Sequence, residues 1–176
     1  MRDSTRTTLW FDRIDTRGYG APFAEILIAV DHRQLCALDF AGFEARMHGL
    51  LAKRYERYDF EEKSNPCGFA DLVHAYLNGE VTALEGIPVS TGGTEFQQQA
   101  WAALRQIPAG RTATYGEQAA RIGRPRAVRA IGAANGQNPV AIVVPCHRVI
   151  GSSNQLTGYA GGLAAKRWLL NHEGAL

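Results

Sequence analysis

The sequence predicts an α+β fold: an N-terminal α/β domain over residues 1–90, with a small antiparallel sheet plus helices, then a mostly helical, winged helix-turn-helix-like domain over residues 91–176. Three observations carry this. Two β-prone apolar runs, residues 23–30 and 35–40, lie in the first half. Two helix-opening boxes, Thr94 with Gln97 and Thr114 with Glu117, lie in the second. Between them, residues 86–93 are rich in turn formers and read as a linker.

The elements follow in order. Asp31-His32-Arg33-Gln34 separates the two apolar runs and predicts a hairpin. Phe43, Met47, Leu50, Leu51 and Tyr55 fall near one face of a helix over 43–55. Phe69, Leu72, Val73, Tyr76 and Leu77 mark a second helix that stops at Asn78-Gly79. After Thr94, the spacing of Phe96, Ala100, Leu104 and Ile107 is helical until Pro108-Ala109-Gly110. The box at Thr114 opens a short helix through Ile122. Gly123-Arg124 is a tight turn, and Pro125 suits the first position of the next helix, which carries Arg126, Val128, Arg129, Ile131 and Asn135 and ends at Gly136. Helix, Gly-containing turn, helix is the helix-turn-helix pattern. The second helix is crowded with small residues, Ala127, Ala130, Gly132, Ala133 and Ala134, so another molecule can approach it closely; a tightly packed bundle helix would look similar. Residues 140–144 are apolar but too few for a helix, residues 152–162 form a polar, Gly-containing loop, and 163–172 is the last helix.

Composition narrows the class. No stretch reaches the ~18 apolar residues of a membrane span, and residues 1–10 lack the apolar core of a secretory signal. The expectation is a soluble, cytoplasmic monomer. Three cysteines at wide spacing do not suggest a disulfide framework and fit a reducing compartment. No CxxC or HxxxH pair occurs, so no metal and no cofactor is expected. The net charge is only +2, but residues 1–90 hold 10 basic and 14 acidic side chains (−4), and residues 91–176 hold 9 and 3 (+6). Arg105, Arg111, Arg121, Arg124, Arg126 and Arg129 cluster in the basic half. A polyanion partner explains this; so does a solvated arginine-rich surface, and charge alone leaves both open.

Cys146 lies between Pro145 and His147. A thiol reacts as thiolate, and an imidazole can take its proton. The imidazole then needs a group to fix its tautomer. Of the three acidic residues in the second half, Glu95 and Glu117 sit in the helix-opening boxes, which leaves Glu173. Against this, a cysteine beside an apolar run is often a buried, inert thiol. Cys36, inside a strand-like run, reads as core. Cys67, near a helix start, has no catalytic-looking neighbours. His32 and His74 read as turn and surface residues.

Gly93-Thr94-Glu95-Phe96-Gln97, Trp101, Ile107 to Gly110, Thr114-Tyr115-Gly116, Asn138-Pro139, residues 142–151 around Pro145-Cys146-His147-Arg148, Thr157 to Gly162, and Trp168 to Gly174 form a set of motifs in fixed order. Together they resemble the O6-alkylguanine-DNA alkyltransferase family (methylated-DNA–protein-cysteine methyltransferases) of bacterial type. The resemblance covers about residues 91–175; residues 1–90 resemble the family's variable first domain only in length and pattern. It implies a stoichiometric, self-inactivating transfer of an alkyl group from O6 of guanine to Cys146, with O4-alkylthymine a second candidate substrate. It assigns His147, through a water, and Glu173 to the nucleophile's proton. Tyr115 would protonate the leaving base, and Asn138 would brace the turn beneath Cys146. Tyr115, backbone groups of Val149 and Tyr159, and the Ala160 region would hold the base. Double-stranded DNA would be bound from the minor groove, with the nucleotide flipped out and Arg129 filling the gap. Arg126, Thr94, Gln118, Ala127 and Ala130 would complete the DNA contacts. Val128 stands where a smaller alanine is expected, Arg126 where glycine or lysine is common, and Ala160 where some members carry serine. The two-Cys, two-His zinc site of some relatives cannot be assembled from Cys36, Cys67, His32 and His74, so the expectation of no metal stands.

Three rivals frame the reading. A non-catalytic lesion sensor of the same fold would lack the cysteine. A cysteine hydrolase would need an oxyanion hole and a small-molecule cleft. A transcription factor would need base-reading side chains on its second helix.

Overall fold

The computed structural model describes residues 6–176. Four strands, β1 (Thr7–Asp15), β2 (Glu25–Asp31), β3 (Gln34–Phe40) and β4 (Tyr58–Glu62), form one sheet in the order β3-β2-β1-β4. The expected hairpin is β2–β3, antiparallel, with His32 and Arg33 at its turn in left-handed backbone. The sheet is mixed rather than purely antiparallel, because β4 pairs parallel to β1. The cause is connectivity: helix α1 (Glu44–Ala52) carries the chain from β3 across one face of the sheet to the far side of β1, and a crossover delivers a parallel strand. α1 is also shorter than the sequence suggests, since the chain turns at Lys53.

The sheet is covered on both faces, so β2 and β3 are buried and apolar along nearly their whole length, with Asp39 the one charged side chain inside β3. One face packs Leu9, Phe11, Leu27, Ala29, Cys36 and Ala37 against Met47 and Leu51 of α1. The other packs Ile26, Ile28, Leu38 and Phe40 against helix α2 (Phe69–Leu77) and against the second half of the chain, including Trp101, Leu104, Val144 and Leu169. A single core therefore runs across the linker. α2 begins after a 3-10 turn in which Asn65 and Cys67 adopt positive φ.

In the second half, α3 (Glu95–Leu104) and α4 (Tyr115–Arg121) both open on complete capping boxes at Thr94 and Thr114. Helix α5 (Val128–Gly136) starts three residues later than Pro125 suggests. The amide of Ala127 donates to the Arg124 carbonyl at 2.9 Å, so Pro125 occupies the second position of a β-turn, which its fixed φ also suits, and Arg126 precedes the helix. Two short strands, β5 (Ala113–Thr114) and β6 (Val149–Ile150), pair parallel, and α6 (Leu163–His172) closes the fold. The free edge of β3 carries the segment that leads to Cys146: Leu38 N–H donates to Pro139 O at 3.0 Å, and Ala141 N–H donates to Leu38 O at 3.1 Å. No helix among the described residues is long and apolar enough to cross a membrane.

Candidate active site

The segment from Asn138 to Cys146 is a chain of tight turns. The Val143 amide donates to Ala141 O and the Cys146 amide to Val144 O, each at 2.8 Å, both three-residue γ-type turns. The first forces Ile142 to φ 68°, a conformation that a β-branched residue resists. Asn138, itself buried, holds this geometry. Its Oδ1 accepts from the Val140 amide at 2.9 Å, and its Nδ2 donates to Val144 O at 2.7 Å and to Cys146 Sγ at 3.2 Å. The asparagine thus braces the turn and touches the sulfur directly.

Behind Cys146 lies a buried ionic cluster. His147, fully buried, places Nε2 2.8 Å from Glu173 Oε1. Glu173 also accepts from Tyr76 Oη at 2.8 Å and from Arg148 Nε and Nη2, each at 2.9 Å. Arg148 donates its remaining arm to Ile107 O at 2.7 Å. Burial acts to raise the Glu173 carboxyl, but the hydrogen bonds from His147 and Arg148, the Arg148 charge and, once acid protonates the ring, the His147 charge outweigh it and hold the group down at about 2. Burial lowers His147, against the pull of Glu173, so its ring is neutral at physiological pH. A neutral ring that gives Nε2–H to the carboxylate leaves Nδ1 as an acceptor, and Nδ1 has no protein partner. Burial pushes the Cys146 thiol up, while the Asn138 amide and the charges of Lys166 and Arg46 pull it down.

Cys146 opens on a pocket of about 270 Å³ lined also by Tyr115, Gly132, Asn135, Gly136, Gly158, Tyr159 and Ala160. Tyr115, at the first position of α4, reaches over with its hydroxyl 3.3 Å from Thr157 O. Val149 is not on the pocket wall. It is fully buried, its carbonyl accepting from Lys166 Nζ at 2.6 Å and its amide engaged by the Cys146 carbonyl, so it supports the pocket from behind.

The helix-turn-helix adjoins this pocket. α5 turns Ile131, Ala134 and Asn135 inward and leaves Arg129, Ala130, Ala133 and Gly136 exposed, with Ala127 half-buried at its start. Arg126 and Thr94 are exposed; the Thr94 hydroxyl is already engaged by the Gln97 amide at 3.2 Å. Val128 is 41% exposed and adds an apolar bump to this face. Gln118 cannot contact DNA as the sequence reading expects. It is 1% exposed, and its amide pairs reciprocally with Asn135, at 2.9 and 2.8 Å, and with Ala100 O. Position 118 faces the α3–α5 junction because the helix phase set at Thr114 turns it inward.

Three contributors escaped sequence reasoning. Tyr76 reads as core, and nothing in the sequence points its hydroxyl at Glu173. Lys166 is buried, with Nζ donating to Val149 O, to Thr157 O at 2.8 Å and to Gly158 O at 3.3 Å. It ties the pocket loop to β6, and burial brings it down to about 8. Its signal was a lone lysine on the apolar face of the last helix. Arg46 of α1 pairs with Asp39 at 2.8 Å and donates to Gly136 O and Asn138 O, linking the first half to the base of the pocket.

Fold and site together define a cysteine-centred protein built on a helix-turn-helix, with Cys146 backed by a buried histidine–glutamate pair. The family profile described as "6-O-methylguanine DNA methyltransferase, DNA binding domain" matches residues 95–175. The chain is 46% identical over 158 residues to the Salmonella typhimurium protein named methylated-DNA–protein-cysteine methyltransferase, covering 88% of this chain and 92% of that one, and it belongs to that family. A Haemophilus influenzae protein of the same name is 41% identical over 155 residues, covering 88% and 83% of the two chains. Among solved structures, Mycobacterium tuberculosis OGT in complex with DNA is similar at 39% identity and a TM-score of 0.78, covering 94% of this chain and 92% of that one.

Proposed function

We propose that this protein repairs DNA by moving an alkyl group from O6 of guanine onto Cys146, once per molecule. The observation that carries this is the placement of Cys146 on the wall of a pocket that opens beside the exposed face of α5, with His147–Glu173 behind it. The sulfur attacks the alkyl carbon in line. The S–C bond forms as the C–O6 bond breaks, and the electron pair leaves with guanine, which takes a proton from Tyr115. The thiol proton passes through a water to His147 Nδ1. Glu173, ionised and clamped by Arg148, balances the resulting imidazolium. The thioether formed is not a leaving group, so the reaction is stoichiometric.

The target carbon is out of reach inside a duplex, so the nucleotide is flipped. α5 enters the minor groove, about 6 Å wide, on its alanine and glycine face, and Arg129 fills the gap. Arg126 and Thr94 meet the backbone, which positions the protein without reading sequence. O4-alkylthymine presents the same kind of alkyl carbon and is a second substrate to test. The test is protein and peptide mass after mixing with a duplex carrying one O6-methylguanine. One methyl on Cys146, saturating at one per protein, is expected. Tight lesion binding with no mass change means a sensor instead.

A further inference from the structure

Among the described residues, two buried side-chain polar atoms have no protein partner, His147 Nδ1 and the Tyr159 hydroxyl. Buried polar groups are nearly always satisfied, by protein or by water. The coincidence that both flank the nucleophile therefore calls for a cause. Tyr159 belongs to the pocket wall together with Cys146. Its ring stands edge-on to the His147 ring, centroids 6.5 Å apart, and is seated against Phe40 at 6.3 Å. Gly161 permits that seat: a Cβ there would lie 2.5 Å from Phe40 and 3.0 Å from the Tyr159 ring. The ring is thus held in place by apolar contacts, and its hydroxyl is left with a polar task and no protein acceptor.

We propose that the Tyr159 hydroxyl is a positioning group for the proton transfer, donating to the water that links Cys146 Sγ to His147 Nδ1. This rests on the transfer reading above. A buried water takes about three hydrogen bonds, and these three side chains supply that number. Before transfer the water accepts from the thiol and from Tyr159 and donates to Nδ1. After it, the water accepts from Nδ1–H and from Tyr159 and donates to the thiolate. Tyr159 keeps its proton throughout and fixes the water's free lone pair in both states, so the water cannot turn its hydrogens toward the ring pocket. Burial, and then the Cys146 charge, push the phenol well above its ordinary range, which keeps it a donor. The charged and titratable groups around the relay are Cys146, Tyr76, Asp39 and Arg46 facing Tyr159, and Glu173, Arg148 and Lys166 facing His147.

The experiment is Tyr159→Phe, with Cys146 reactivity toward iodoacetamide and single-turnover transfer from a methylated duplex both followed against pH, and urea unfolding in parallel. The midpoint of thiol reactivity should move up by about one unit, and transfer at neutral pH should fall about tenfold, with the unfolding midpoint little changed. An unchanged pH profile, with the variant more stable than the parent, means the hydroxyl is an unsatisfied passenger and overturns the proposal. If the variant unfolds, Tyr159→p-aminophenylalanine, which restores a donor, must recover the profile, or the proposal falls. The parent's transfer to Cys146 is measured first: no methyl on the parent refutes the repair reading, whereas transfer by the parent with an unshifted variant refutes only the relay.

Discussion

Removing Arg148 should be the most damaging single change near the site that leaves Cys146 and His147 in place. In Arg148→Met the hydrophobic stem is kept, but three hydrogen bonds go, two to Glu173 and one to Ile107 O. Glu173 is buried and keeps only Tyr76 and the neutral His147 as donors. Breaking a buried pair by removing one partner costs about 3–5 kcal/mol, because the remaining charge is uncompensated. A protein of this kind has roughly 5–15 kcal/mol in all, so the loss is a large fraction of the total. With m of about 2 kcal/mol/M in urea, the unfolding midpoint should fall by about 2 M. The assay is urea unfolding followed by tryptophan fluorescence, on Arg148→Met, Glu173→Gln and the pair together. The double variant should be less damaged than the two single losses summed, since neither charge is then stranded. Transfer should also slow in Arg148→Met, because a carboxyl driven toward protonation no longer balances a histidinium. A loss below about 1 kcal/mol with additive single effects would refute the argument, since it would mean that solvent rather than Arg148 satisfies the carboxylate.

Acid should expose the same cluster: Glu173 is held at about 2 in the folded chain against an ordinary 4.5. A depressed carboxyl stabilises above its unfolded value and loses that contribution as pH falls toward the folded one, so stability should drop between about 4.5 and 2, by roughly 3 kcal/mol from this group. Glu173→Gln should flatten that slope, and an unaltered slope contradicts the assignment. Gln118→Leu should cost about 1–3 kcal/mol by stranding Asn135 while leaving DNA affinity of the folded protein intact. Arg126→Ala should do the reverse, weakening binding and reducing its salt slope by about 1; a binding defect in Gln118→Leu without a stability defect would reverse the placement. Gly161→Ala should destabilise by about 1–3 kcal/mol through the Phe40 clash. Gly132→Ala, whose Cβ meets nothing within 4 Å, should keep its stability but narrow the pocket for bulky alkyl groups, and equal transfer rates for methyl and benzyl substrates in that variant would argue against this lining.

What the sequence made legible was what local chemistry decides. Capping boxes at Thr94 and Thr114 fix where α3 and α4 begin, because the cap satisfies donors that no other group can reach. Helix α2 and the last helix follow from apolar spacing with stop signals, and the β2–β3 hairpin from two buried runs around a turn. The His147–Glu173 contact was legible too: once capping claims Glu95 and Glu117, Glu173 is the carboxylate left for His147. Long-range geometry was not legible. β1 reads TTLWFDRID and β4 reads YDFEE, so their charged, outward residues hide the pattern of strands whose burial is one-sided. Their parallel pairing depends on where α1 sets the chain down.

The same limit explains the errors at the site. Pro125 serves a helix start and a turn equally well, and only the Ala127–Arg124 hydrogen bond decides between them. Gln118 lies on a short helix whose inner face is set by contacts with α3 and α5, so its motif position could not say which way it points. Tyr76, Arg46 and Lys166 contribute from elements distant in sequence or from an apolar face, where a polar tip is invisible until the fold brings it to a carbonyl or a carboxylate. Each of the three satisfies a group that would otherwise be stranded when the turn from Asn138 to Cys146 is buried. Tyr76 gives Glu173 a donor, Arg46 covers the carbonyls at the end of α5 and at Asn138, and Lys166 gathers those of the pocket loop. Burying a cysteine beside charged and carbonyl groups is stable only if they are all paired. The first half of the chain, through Tyr76 and Arg46, supplies part of that pairing, and so it is part of the site as well as its support.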